Sequence, residues 1–319
     1  MAHPDALPVE ETRRITRRRF GQMLAGFGVL LTVPGFASGA SKRLLVGVSS
    51  ETLAGANMTD ARAAAKVWAE QITRDLDISV AEMYPDVFIP SAQMVRMIQE
   101  GAIDLFVLTA LEYAKVATYI DPECVLVESK APDGLEYVLV VHSASPFQKI
   151  EDLRKRQLTF HHHRDTVLLT EWISVQLAKG GQGTIDSFFA SMISRESLTQ
   201  VVAPLFFRRT DVAGLTNIAF RVAAELNPQL GKDLRVLAVS PKIVPEVFCF
   251  RRGVTADQKR RLMNTFLRVK TVTAGQQILA LYQTEGYEQR TAAVMQGTVD
   301  MVHEYERIAA GASAKKRRA

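Results

Sequence analysis

Apolar and polar positions along this chain alternate between two rhythms. Short apolar runs, bounded by serine, glycine or proline, recur at "RLLVGVSS" (Arg43–Ser50), "ISVAEMY", "IDLFVLT", "EYVLVVHS", "LTF", "VAPLFF", "LRVLAVSP" and "PEVFCFRR". Unbroken runs of this length predict strands buried on both faces. Between them lie stretches with helical spacing. In "MTDARAAAKVWAEQITRDL", Ala64, Val67, Trp68, Ile72 and Leu76 fall on one face behind a Thr59 or Asp60 cap. "SAQMVRMIQEG" ends at Gly101, "SPFQKIEDLRKRQ" is a short capped helix, and "DTVLLTEWISVQLAKGG" is a helix stopped by glycine. "VAGLTNIAFRVAAELNPQLG" passes from strand to helix, and "TADQKRRLMNTFLRVKTVTAGQQILALY" returns to long amphipathic helices. Strand–helix alternation, run through twice without a long linker, predicts two α/β lobes.

Composition changes this picture little. The 319 residues are 47% hydrophobic and 23% charged, an ordinary globular balance. Charge is more informative, because the net +5 is concentrated at the two ends: five arginines precede residue 20, and "KKRR" closes the chain. The body between is nearly neutral, which excludes a nucleic-acid-binding surface. "TRRRF" at Thr16–Phe20, the apolar "GQMLAGFGVLLTVPGF" and the small residues Ser38 and Ala40 follow the order of an export signal over 1–40. The Arg17-Arg18 pair has a twin-arginine character, with an ordinary secretory signal as the alternative. No cysteine in that segment offers a lipid anchor, so the mature chain is expected in a periplasm. "AAGASAKKRRA" reads as an unstructured basic tail over 306–319. Cys124 and Cys249 lie in apolar runs, either as a disulfide or as two buried thiols.

Four stretches carry a resemblance: "MTDARAAAKVWAEQI", "GAIDLFVLTALEY", "SPFQKIEDLRKRQLTF" and "FFRRTDVAGLTNIAFRVAAELNPQLGKDLRVLAVSP". Together they are similar to the phosphate, phosphite and phosphonate-binding periplasmic solute-binding proteins of ABC transporters. The resemblance implies a two-lobed type II periplasmic-binding-protein fold. Lobe one would take 41–142 plus 245–305, lobe two 143–244, and a ligand would sit between them. It also implies a small anionic solute, an ABC permease or a membrane sensor as partner, a monomer, no cofactor and no catalysis. No nucleophile elbow, phosphate loop or zinc signature argues for an enzyme.

Sites in open α/β sheets lie beyond the carboxyl ends of strands. That rule points to Ser49 and Ser50, to Thr109, and to "HHHRDT" at His161, His162, His163, Arg164, Asp165 and Thr166. The resemblance adds Tyr113 as the family's cleft tyrosine, and Asp211, Thr216 and Asn217 as polar contacts from the other lobe. It also shows a departure, because the family's serine- and threonine-rich loop is replaced by the histidines, and "SRESLTQ" stands where a family histidine is expected.

Three readings of that loop stay open. One is an anion pocket built on the Arg164 fork and helix amides. Another is a metal site using His161 and His163, which share a side by alternation. The third is a solvated loop paired with Asp165. Trp68 and Trp172 read as core. The functions these features admit are uptake of a small anion, phosphonate-like or carboxylate; ligand sensing by an adaptor of the same fold; and a metal-binding exported protein.

Overall fold

The computed structural model describes residues 29–32, 44–53, 59, 62–63, 79–83, 88–271, 273–281 and 284–318. Most of the helix expected at Met58–Leu76, and most of the expected export segment, lie outside these residues.

Two sheets divide the chain. The first contains β1 (Val29–Thr32), β2 (Leu44–Ser49), β3 (Ser79–Met83), β4 (Phe88–Ile89), β5 (Leu105–Thr109), β6 (Ile120–Glu128), β12 (Glu246–Arg251) and β13 (Tyr287–Arg290), in the order β13-β6-β12-β5-β2-β1-β3, with β4 beside β2. The second contains β7 (Tyr137–His142), β8 (Gln157–His161), β9 (Ser191–Arg195), β10 (Val212–Thr216) and β11 (Leu234–Val239), in the order β11-β7-β10-β8-β9. The chain crosses between the sheets twice, through 129–136 and 240–245, as a two-lobed binding fold requires. Because β7 pairs with β10 and β11, it belongs to lobe two, which therefore begins before the expected boundary at 143.

The helices are α1 (Ser91–Gln99), α2 (Ala110–Val116), α3 (Leu169–Lys179), α4 (Ile185–Phe188), α5 (Leu198–Phe206), α6 (Asn217–Leu226), α7 (Pro228–Asp233), α8 (Ala256–Leu267), α9 (Thr273–Leu281) and α10 (Gln296–Arg318). None of the described helices is long and apolar enough to cross a membrane. Gly101 closes α1 at a φ of +70°, a conformation that disfavours any side chain. Gly214 serves packing instead: a Cβ there would stand 2.9 Å from Leu169 Cδ2, so the bare backbone lets α3 start directly against the lobe-two sheet.

Three expectations are corrected. "VAPLFF" lies in α5 and its C-terminal cap, not in a strand, because Val201, Val202 and Leu205 bury one helical face against the sheet. A short apolar run is ambiguous on exactly that point until its neighbours are known. "IEDL" forms a single 3₁₀ turn rather than a helix. The basic tail is not unstructured: α10 runs on to Arg318, anchored where its earlier turns pack on α2 and α3. Within the segment 1–40, Val29–Thr32 forms β1 and pairs antiparallel with both β2 and β3.

Cys124 and Cys249 are buried free thiols in adjacent strands, and burial pushes both above the usual thiol range. Trp172, 1% exposed, packs in the lobe-two core against the Tyr137 ring, with centroids 6.4 Å apart.

Candidate functional site

β2 and β5 run parallel and end together, which brings Ser49, Ser50 and Thr109 to one edge of lobe one. β8 and β10 do the same in lobe two for His161–Thr166 and for Thr216 with Asn217. Both edges face the crossing segments. Of the expected site residues, Arg164 and Asp165 line the space where the lobes meet, Asn217 lines a groove beside the crossing segments, and Ser49 and Thr109 share Glu112, while Tyr113 and Asp211 lie elsewhere.

Tyr113 is 4% exposed within the lobe-one core. Burial and the nearby Cys249 push its hydroxyl up to about 12. The helical turn that follows Thr109 carries this side chain down onto the sheet, away from the edge. Asp211 precedes β10, and its carboxylate accepts from the Gln157 amide at 2.9 Å, at the opposite end of the strands.

In lobe one, Glu112 decides the chemistry. "TALE" is a capping box: Glu112 Oε2 accepts from Thr109 N and Thr109 Oγ1, both at 2.9 Å, and Oε1 accepts from Ser49 Oγ at 2.5 Å. The next amide, Ala110 N–H, donates to Pro245 O at 2.9 Å. These donors, each suited to an oxyanion, are therefore already taken by the chain itself.

The same holds in lobe two. Thr166 Oγ1 binds His161 O at 2.6 Å and His163 O at 2.9 Å, and Asp165 N–H donates to His163 Nδ1 at 3.2 Å. The hydroxyl and the histidine thus shape the loop. His161 Nε2 lies 3.1 Å from Glu196 O, and its ring stacks on His163 at 5.2 Å. Burial and the neighbouring His163 hold His161 below the usual imidazole range. His162 is exposed. Among the described residues, no three His, Cys, Asp or Glu side chains converge as a metal set. Thr216 caps α6 by accepting from Ala219 N–H at 3.0 Å, and the Asn217 amide N–H donates to Glu136 O. Asn217 Nδ2 donates to Glu136 Oε2 at 2.9 Å, leaving Oδ1 buried without a hydrogen-bond partner.

Arg164 is not a free fork. Its side chain is 9% exposed; it meets Glu128 in a close ion pair and lies 3.6 Å from Glu246. Lys130 bridges Asp165 at 2.8 Å and Glu128 at 3.0 Å. Burial opposes the charged form of Asp165, yet Lys130 and Arg164 hold its carboxyl below the usual range. For Glu246, burial wins over Arg164 and pushes the carboxyl up. Glu128, Asp165 and Glu246 thus meet Arg164 and Lys130 at the junction, with His163 3.6 Å from Asp165.

The anion-pocket expectation takes Arg164 as a free fork; here its guanidinium lies between two carboxylates, Glu128 and Glu246. Sequence reading missed Glu128 and Glu246; the available signal was that each stands where an apolar strand meets a crossing segment. Among the described residues, one cavity of about 20 Å³ at the junction is lined in part by Glu128, Arg164, Asp165 and Glu246. A roomier groove of about 260 Å³ lies beside the crossing segments at Asn217, with Arg221 and Lys242 on its exposed rim.

A family model described as "ABC transporter, phosphonate, periplasmic substrate-binding protein" matches residues 56–295. Among solved structures, XAC2383 from Xanthomonas citri bound to chloride ion is similar at 14% identity and TM-score 0.54, over 83% of this chain and 99% of that one. The binding protein component of ABC phosphonate transporter PA3383 from Pseudomonas aeruginosa is similar at 12% identity and TM-score 0.51, over 82% and 86%. PhnD1 from Prochlorococcus marinus in complex with methylphosphonate is similar at 14% identity and TM-score 0.51, over 82% and 97%. At these identities the likeness is one of fold. A comparison with curated proteins found no match.

Proposed function

Because this chain belongs to the family of periplasmic substrate-binding proteins of phosphonate ABC transporters, we propose that it carries a small solute between its lobes to an ABC permease. The observation that supports this most is the polar contact between the lobes at strand ends, where Arg164, after β8, lies against Glu246, the register partner of Thr109 at the end of β5. A solute touching both sets favours the closed arrangement, and a permease reads that shift in population. The chain acts as a monomer without catalysis, and "TRRRF" directs its export as a twin-arginine signal.

The solute is a small monocarboxylate or zwitterion rather than a phosphonate dianion. Supporting this are the capture of Ser49 and Thr109 by Glu112 and the pairing of Arg164 with Glu128. The uncommitted polar side chains at the edges, Ser50, His162 and Asn217 Oδ1, suit a solute of low charge. A dianion would have to sit among carboxylates in a poorly solvated space, an expensive placement.

A thermal-shift panel of small carboxylates, amino acids, sulfate, phosphate and methylphosphonate tests this reading on the full chain. One monocarboxylate or zwitterion is expected to raise the melting temperature by several degrees at a concentration far above its dissociation constant. Asn217→Ala is expected to lose that gain. Stabilisation by phosphate, sulfate or methylphosphonate, with none by a monocarboxylate or amino acid, would overturn the reading.

A further inference from the structure

Glu128 and Glu246 end and begin neighbouring antiparallel strands. The register that pairs Phe248 with Leu126 continues to place Glu246 opposite Glu128. Like charges directly across a strand pair repel each other and destabilise the sheet. Here the repulsion is answered from the other lobe. Arg164, which follows β8, reaches over to both carboxylates. The remaining cavity of about 20 Å³ has room for roughly one water. A second tie runs parallel to it, from Lys130 on the crossing segment to Asp165.

We infer that Glu128 and Glu246 form a guanidinium-binding site that the chain fills with its own Arg164, drawing the lobes together with no solute bound. The side chain acts as a tethered cation that competes with no outside molecule. Closure is then populated before any solute arrives, and a solute adds only the differential affinity it has for that state. A dianion that pulled Arg164 away would leave two carboxylates facing each other in a buried place. The inference rests on the two-lobed reading of the chain but not on the identity of its solute.

The test compares the wild-type full chain, Arg164→Ala and the double variant Glu128→Gln, Glu246→Gln by small-angle scattering and melting temperature, without solute and with millimolar ethylguanidinium. The wild type is expected to be compact and indifferent to ethylguanidinium. Arg164→Ala is expected to show a larger radius of gyration and a melting temperature lower by roughly 5 °C or more. Both values should return toward wild type with ethylguanidinium. The double variant should open and should not be restored. An Arg164→Ala chain as compact as wild type, or one unmoved by ethylguanidinium, overturns the inference. If Arg164→Ala does not fold, the double variant decides alone, since wild-type compactness there is equally fatal. A variant that fails to open yet still binds a solute from the panel would remove the tethered cation while leaving the transport role standing.

Discussion

Replacing Trp172 by alanine is expected to lower the stability of the chain by roughly 3–5 kcal/mol, the usual loss for a large aromatic deleted from a packed core. The indole is 1% exposed on α3, the helix that starts three residues after Thr166 and holds the histidine loop in place. Its neighbour Tyr137 reaches the same loop from the other side, where the Tyr137 hydroxyl accepts from the Leu168 amide at 3.4 Å. A cavity at Trp172 thus loosens both supports of the loop at once. Trp172→Phe should cost far less, because the indole Nε1 makes no hydrogen bond that phenylalanine would forfeit. Urea denaturation of the two variants checks this. Equal losses would mean that the indole N–H has a role the packing does not show.

The second large effect is expected at Glu112, 1% exposed. Glu112→Ala removes one carboxylate and strands Thr109 N–H, Thr109 Oγ1 and Ser49 Oγ, three donors now satisfied by it. Buried donors left unmade, with a charged acceptor lost, predict destabilisation of roughly 3 kcal/mol. The vacated position is also one where an external oxyanion finds the donors it needs. Inorganic phosphate at millimolar concentration is therefore expected to raise the melting temperature of Glu112→Ala and to leave the wild type unchanged. A wild-type response equal to that of the variant would show that Glu112 does not occupy those donors in solution.

Much of the fold was legible because its signals are local. β2, β5, β7, β10 and β12 follow apolar runs whose ends are marked by turn residues, and α1 stops at the glycine that its positive φ requires. Val202–Phe207 was not legible, because an apolar run of that length fits a strand or a buried helix turn equally well, and only packing against lobe two selects between them. The basic tail misled for a related reason: composition argues for a solvated chain, whereas α10 draws its stability from contacts made several turns earlier.

The site was legible in position and less so in chemistry. The rule of strand carboxyl ends pointed to Ser49, Thr109 and the histidine loop, and the resemblance added Asn217. It could not reveal that Arg164 would meet Glu128 and Glu246, which lie 36 residues before and 82 residues after it in the chain. Charge pairing across a junction is a property of tertiary register, and here it reverses the meaning of the arginine. Tyr113 misled because one position on a short helix separates the cleft edge from the core. Glu112, its neighbour, carried a capping-box signal that names the use of its carboxylate.

This cleft keeps the family's architecture while Ser49, Thr109 and Arg164 are held by the chain's own carboxylates. The most direct measurement is a calorimetric titration of methylphosphonate into the wild-type full chain at moderate ionic strength. No saturable heat is expected at concentrations up to about 1 mM, the exposed Arg221 and Lys242 offering only weak, screened attraction. Saturable one-to-one binding with a dissociation constant of about 1 μM or tighter would contradict it, and would mean that Glu112 and Arg164 give up their partners to the solute.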